Sequence, residues 1–241
     1  MKPAFFLAET LADEQIVLTG QEGRHATTVR RHAPGEEVYL TDGAGTVAQC
    51  VVRAARPGEL ELTVLRRQAE PRPDPALTVV QAIPKGERGE LAVELLTEVG
   101  ADLIVPWAAE RCVAQWRGDR AAKSVARWRS TAQQAAKQSR RAWIPGIGEP
   151  ADLAGVAARV RASALAVVLD ADAPDRLADL GLPGSGEIVL VVGPEGGITP
   201  AEQHALAAAG AASARLGPSV LRTSSAGVVA AGIVLSRTGR W

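Results

Sequence analysis

After residue 76 the chain alternates two textures, and that alternation constrains the fold more than any other feature. "ALTVVQAIP", "ADLIVPWAA", "ALAVVLDAD", "GEIVLVVGPEGG" and "AASARLG" are short apolar runs. Between and after them lie the helix-like runs "KGERGELAVELLTEVG", "DRAAKSVARWRSTAQQAAKQSRRA", "TPAEQHALAAAG" and "SSAGVVAAGIVLSRTGRW". A strand that is apolar at every position is buried on both faces. Such strands alternating with helices predict an α/β fold with a mostly parallel sheet between helical layers. Gly100 is expected to end the first of these helices. Thr199 and Pro200 suit the N-cap and first position of a later one.

The first 70 residues read differently. "EEVYLTDG" and "GTVAQCVVRAA" are short strands around Asp42-Gly43, a strong turn signal. "GELELTVLRR" alternates apolar and polar residues, as a half-buried strand does. "GRHATTVRRHAPG" predicts a short helix ended by Pro34-Gly35. Strands with one short helix suggest a small β-barrel. Three prolines in "AEPRPDPA" then make a stiff linker. The expected division is a barrel over residues 1–70, a linker over 71–76 and an α/β domain over 77–241.

Composition narrows the partners. Aromatic residues are 3% of the chain, so the core must be built from Ala, Val and Leu. The formal net charge is zero, so a nucleic-acid partner would have to meet a local basic patch. Cys50 and Cys112 lack metal-ligand spacing and suit a reduced cytoplasmic setting as buried thiols. Three histidines without acidic partners at ligand spacing argue against a metal site. The start "MKPAFFLAETLADEQ" lacks the apolar length of a signal peptide, and no run reaches membrane-spanning length. These features lead to an expectation of a cytoplasmic protein.

Two loops stand out for chemistry. In open α/β sheets ligands bind beyond the carboxyl ends of the strands. Two predicted strand ends carry a Gly-Pro pair that leads into a helix, in "VVGPEGGITP" and "RLGPSVLRTSSAG". Glycines let a backbone approach a ligand closely. A phosphate would recruit Lys or Arg, whereas "GPEGG" carries Glu195. An acidic loop suits hydroxyls or positive charge, and S-adenosylmethionine offers both. Turn glycines without any ligand remain an open alternative at this level. The GxGxxG fingerprint of a dinucleotide site is absent, which disfavours hydride transfer.

Residues 111–143 contain nine Lys or Arg and one acid, Asp119, interleaved with Trp116, Trp128 and Trp143. A basic stretch with aromatics fits RNA phosphates and bases. The plainer reading, a solvated helix face with buried tryptophans, is preferred for the Trp residues. RNA contact is preferred for Arg140 and Arg141. Arg24, Arg30 and Arg31 cluster near His25 and His32. In the closing helix the small residues Ala226, Ala230 and Gly227, Ala231 recur every four positions, which fits tight core packing or a packed second subunit.

"VVGPEGGITPAE" followed by "LGPSVLRTSSA" resembles the two signature loops of the ribosomal RNA small subunit methyltransferase E family, within the SPOUT superfamily. "QAIPKGERGELAVELLTEVGADLIVPWAAERCV", "RWRSTAQQAAKQSRRAWIP" and "HATTVRRHAPGEEVYLTDG" are similar to further segments of that family, in the same order along nearly the whole chain. The resemblance implies a C-terminal SPOUT domain with a deep trefoil knot and an N-terminal PUA-like RNA-binding β-barrel. It implies a homodimer that uses S-adenosylmethionine to methylate N3 of uridine 1498 in 16S ribosomal RNA, with the RNA met within a small ribosomal subunit. Carried over by motif, the cofactor site comprises Val192, Gly193, Glu195, Gly196 and Gly197, with Leu216, Gly217, Ser219, Leu221 and Arg222. Arg222 and Glu195 are the catalytic candidates. RNA contacts are expected at Arg24, Arg30, Arg31, Lys85, Arg140 and Arg141.

Two positions depart from the family pattern. Its second loop usually ends Leu-Arg-x-Glu-Thr-Ala, and here Ser224 replaces the acid. Ser224 or Ser225 is expected to cap the closing helix. An Arg often precedes the paired aromatics of the N-terminus, and here Ala4 precedes Phe5 and Phe6, with Lys2 a loose substitute. A SPOUT ribose 2'-O-methyltransferase and a catalytically idle RNA-binding assembly factor are the competing readings.

Overall fold

The computed structural model describes residues 4–116 and 118–241. Lys2 and Arg117 therefore lie outside the described residues. The chain forms two compact units. One runs up to Arg72 and adds Ala136–Ile144; the other comprises Pro73–Ala135 and Pro145–Trp241.

The first unit is built on a five-stranded sheet of β1 (Ala4–Leu7), β2 (Gln15–Leu18), β3 (Glu37–Thr41), β4 (Thr46–Arg56) and β5 (Glu59–Ala69). Their order is β1-β3-β4-β5-β2. β1 runs parallel to β3, and the other pairs are antiparallel. β1 and β2 add to the strands expected from sequence; each has only four residues, too few for a periodic signal. The Asp42-Gly43 turn forms as expected, with Asp42 Oδ1 accepting from Ala44 N at 2.7 Å and Thr46 N at 2.9 Å. The core holds Phe6, Val38, Leu40, Cys50, Leu60 and Leu62.

The helix of this unit departs from expectation at both ends. α1 (Gly20–Arg24) begins before the predicted stretch and continues as a π-helical turn, His25–Val29. It stops at Arg30, because Arg31 has a φ of 56°, and so ends ahead of Pro34. Residues 136–144, expected in the α/β domain, pack in this unit instead. Ala142 O accepts from Thr41 Oγ1 at 3.2 Å and from Gly45 N at 3.1 Å. Trp143 Nε1 donates to Glu70 O at 3.0 Å, and the Arg72 guanidinium lies 4.8 Å from the centre of its ring. Lys137 Nζ meets Glu22 Oε1 at 2.5 Å.

The second unit is a six-stranded, wholly parallel sheet. Its strands are β6 (Ala76–Ala82), β7 (Leu103–Trp107), β8 (Gly146–Ile147), β9 (Leu165–Leu169), β10 (Glu187–Val192) and β11 (Ala212–Ala214), in the order β11-β9-β10-β6-β7-β8. The helices are α2 (Arg88–Val99), α3 (Asp119–Ser139), α4 (Leu153–Ala162), α5 (Pro200–Ala208) and α6 (Thr223–Arg237). The last turn of α3 belongs to the first unit. No helix among the described residues is long and apolar enough to cross a membrane.

β6 and β10 are buried almost end to end, which is why their sequences are apolar throughout. Val80, Val105, Trp107, Val168 and Val191 form one core layer with Val156 and Val160 of α4 and Leu206 of α5. α2 and α6 pack together, and α6 also packs on β6 and β10. Gly100 closes α2 at a φ of 113°, where an L side chain would be strained. Gly227, Ala230 and Ala231 are buried, and a Cβ on Gly227 would stand 3.3 Å from Val192 Cγ2. The small residues of α6 thus serve close packing within the unit. β8 and α4 are elements beyond those read from sequence. β8 has only two residues, and α4 is capped by Asp152, whose side chain accepts from Gly155 N at 2.8 Å. Both Cys50 and Cys112 are free thiols and buried, as expected.

Candidate active site

The carboxyl ends of β11, β9 and β10 lie side by side, and the loops that leave them enclose a cleft of about 540 Å³. That volume falls within the roughly 300–1,000 Å³ typical of small-molecule sites. Val192, Gly193, Glu195 and Gly197 line it from the β10 loop. Leu216, Gly217, Ser219, Leu221 and Arg222 line it from the loop after β11. The two loops quoted from the sequence therefore face each other across one cavity.

Gly196 is the exception. It is not among the lining residues; its carbonyl accepts from Arg111 Nη1 at 3.0 Å, outside the cleft. The loop is a turn closed by Gly197 N donating to Pro194 O at 2.9 Å, with Gly197 at a φ of 76°. At Gly193 a Cβ would come within 2.7 Å of Ile198 Cγ1, so only glycine fits there without displacing the Ile198 side chain.

The loop is anchored where α5 begins. Thr199 Oγ1 accepts from Glu202 N at 3.2 Å, and Glu202 Oε2 accepts from Thr199 N at 2.9 Å, a complete capping box. Glu202 Oε1 accepts from Glu110 N at 2.8 Å, and Glu202 is only 4% exposed. A buried carboxylate is tolerated here because its oxygens are occupied by N–H donors at a helix N-terminus.

A third wall lay outside the sequence reading. Leu169, Asp170, Ala171 and Asp172 from the β9 loop line the cleft, with Gln203 from α5. Asp170 Oδ1 accepts from Asp172 N at 3.0 Å, and Oδ2 accepts from Gln203 Nε2 at 3.3 Å. The signal was present: "ALAVVLDAD" is also a strand end, and it carries two acids. With Glu195, the lining holds three carboxylates and the Arg222 cation. This composition suits a ligand with hydroxyls and positive charge better than a phosphate.

Arg222 is exposed, and its guanidinium makes no hydrogen bond or ion pair among the described residues. The expected serine cap is also not formed. Arg222 itself occupies the N-cap position, and α6 starts at Thr223, which puts Ser224 and Ser225 inside its first turn. Ser225 Oγ donates to Arg222 O at 3.2 Å, and Ser224 is buried at 6% exposure. The loop is tied down from beneath by Gln81, a fully buried residue of β6 whose Nε2 donates to Thr223 O at 3.3 Å.

The expected RNA contacts divide between the units. Arg24, Arg30, Arg31, Arg140 and Arg141 belong to the first; Lys85 follows the carboxyl end of β6 in the second. Arg24, Arg30, Arg31, Arg140 and Lys85 are exposed, and Arg141 is half-buried. The charge of nearby Lys137 is matched by Glu22. Burial, Lys137 and Arg30 hold the His25 imidazole below its ordinary pKa. Among the tryptophans Trp128 is buried with Trp116 against its edge, 4.9 Å between ring centres, and Trp143 is held as described above. This agrees with the preference for structural tryptophans.

Residues 71–235 match the sequence family described as an RNA methyltransferase domain, and residues 18–65 match one described as an RNA methyltransferase PUA domain. The chain is 49% identical to the ribosomal RNA small subunit methyltransferase E of Mycobacterium bovis, over 100% of this chain and 94% of that protein. It is 27% identical to the Bacillus subtilis protein of the same name, covering 92% and 90%. The crystal structure of a ribosomal RNA small subunit methyltransferase E from Neisseria gonorrhoeae bound to S-adenosyl methionine is similar, with a TM-score of 0.85 at 26% identity and 98% of both chains covered.

Proposed function

The chain belongs to the ribosomal RNA small subunit methyltransferase E family, and from that premise we propose that it uses S-adenosylmethionine to methylate N3 of uridine 1498 in 16S ribosomal RNA. The observation that carries the reading is the cleft beyond β9, β10 and β11, walled by both glycine loops. Its chemistry fits the cofactor: apolar Leu169, Val192, Ala214 and Leu216 for a base, and Asp170, Asp172 and Glu195 for hydroxyls and positive charge. The Neisseria gonorrhoeae relative holds S-adenosyl methionine.

The cofactor supplies an electrophilic methyl: N3 gives its proton to solvent water, and the carbon–sulfur bond breaks as the carbon–N3 bond forms, the sulfur keeping the electron pair and becoming a neutral thioether. The residues of this chain have the tasks of alignment and charge stabilisation. The β10 loop and the β11 loop hold the donor between them. Arg222, which has no side-chain partner among the described residues and lines the cleft, stabilises the uridine as its N3 proton leaves. Ser224 cannot act as a carboxylate base, so the proposal rests on the Arg222 cation for activating N3. Glu195 is assigned to the cofactor's hydroxyls. Arg24, Arg30, Arg31, Lys85, Arg140 and Arg141 are assigned to RNA phosphates. The reading includes cytoplasmic action, the trefoil knot and a homodimer. Exposed Val220, Val229 and Trp241, on and beside α6, offer an apolar surface for the second copy.

Labelled cofactor tests this directly. Tritium should pass into small-subunit RNA from cells that lack the modification, and calorimetry should detect cofactor binding to the protein alone. An idle assembly factor would give neither signal.

A further inference from the structure

We propose that Arg111 is a positioning residue for the cofactor loop; the inference rests on the cleft being the S-adenosylmethionine site. Arg111 lies in the segment after β7 and contributes nothing to the lining of the cleft. It packs instead on the opposite side of the β10 loop. Its Nη1 donates to Gly196 O at 3.0 Å. Its main body lies so close that a Cβ on Gly196 would stand 3.1 Å from Arg111 Cβ and 3.4 Å from Arg111 O.

The peptide between Gly196 and Gly197 is consequently held at both ends. Its carbonyl is held by Arg111, and its N–H donates to Pro194 O at 2.9 Å. Of these two restraints only Arg111 comes from outside the loop. A Gly-Gly peptide has little steric resistance to reorientation, so its plane is set by its hydrogen bonds. The neighbouring residue reinforces the clamp: Glu110 N donates to Glu202 Oε1 at 2.8 Å, and Glu110 Oε2 accepts from Thr199 Oγ1 at 3.3 Å. The segment after β7 thus braces both ends of the turn while its other side faces the ligand. A loop held in its binding conformation before the ligand arrives spends less of its contact energy on ordering.

The test compares Arg111→Ala and Arg111→Lys with the parent, each as the full chain. Calorimetry gives the S-adenosylmethionine Kd, and methylation kinetics give separate KM values for cofactor and RNA. Arg111→Ala should raise the cofactor Kd and KM roughly tenfold and leave the RNA KM and kcat within about twofold. Arg111→Lys, which keeps one charged donor, should recover most of the affinity. An unchanged cofactor Kd in Arg111→Ala overturns the inference. So does a rise in the RNA KM alone, which would make Arg111 a phosphate contact, and so does a failure of Arg111→Lys to recover binding. If the parent binds no cofactor, the reading of the cleft falls as well; if the parent binds and the variants match it, only the role of Arg111 falls.

Discussion

Thr199 and Glu202 cap one another: the threonine hydroxyl accepts from Glu202 N at 3.2 Å, and the glutamate Oε2 accepts from Thr199 N at 2.9 Å. The pair joins the glycine loop to the helix behind it. Thr199→Ala should cost about 1–2 kcal/mol of stability. Glu202→Ala should cost more, about 2–3 kcal/mol, because it strands the N–H groups of Thr199 and Glu110. Denaturant midpoints at constant m-value measure both, and the ranking is the expected result.

Gly193→Ala should weaken the cofactor site while leaving the sheet intact. The new methyl would meet Ile198 Cγ1 at 2.7 Å, and Ile198 itself lines the cleft. Calorimetry should show at least tenfold weaker S-adenosylmethionine binding with an unchanged circular dichroism spectrum. Adding Ile198→Ala, which removes both Cγ1 and Cδ1, should recover part of the loss.

Arg222→Ala should separate chemistry from folding. The guanidinium has no partner among the described residues, so its loss should leave the melting temperature within about 2 °C of the parent. Removing a group that stabilises developing charge should lower kcat by roughly a hundredfold. Arg222→Lys should retain part of the rate, because the positive charge remains but not the planar fork.

His25 reports on the first unit. Its pKa is lowered by burial, Lys137 and Arg30. The neutral form is therefore favoured by folding. Its contribution to stability is complete above the ordinary value of 6.5 and is lost as pH falls through the lower, folded value. A phosphate placed among Arg24, Arg30 and Arg31 would favour the charged form. Titration of the His25 ring protons by NMR should give a higher pKa with RNA bound than without. Lack of any shift in the complex would remove RNA from this surface.

Much of the α/β unit was legible because its strands are buried on both faces, which leaves unbroken apolar runs in the sequence. The caps of α2 and α5 were legible for a local reason, since Gly100, Thr199 and Pro200 act through their own backbone positions. β1, β2 and β8 were not, because strands of two to four residues carry no period. Nor was the home of residues 136–144: Ala142 and Trp143 are held by Thr41, Gly45 and Glu70, contacts that no local pattern encodes. Two walls of the cleft could be read from their glycines. The third, with Asp170 and Asp172, has no glycine; its sequence signal is a strand end with two acids, and its place in the cleft follows from β9 lying between β10 and β11.

Ser224 stands where the family pattern that the sequence resembles carries an acid. The structure puts Ser224 inside the first turn of α6 and buries it. A carboxylate introduced by Ser224→Glu would have to displace that packing or turn toward the cleft beside Arg222. The variant should lose stability without gaining rate if charge stabilisation by Arg222 is what activates N3. A rate gain at unchanged cofactor affinity would show that a base is missing.

The identity of the methylated nucleoside separates base from ribose methylation. Small ribosomal subunits lacking the modification are treated with the protein and S-adenosylmethionine, then digested to nucleosides and resolved by mass spectrometry, with primer extension to locate the site. The expected product is 3-methyluridine at a single position, uridine 1498 of 16S ribosomal RNA. A 2'-O-methylated nucleoside, or no methylated product from a protein that folds and binds the RNA, would contradict it.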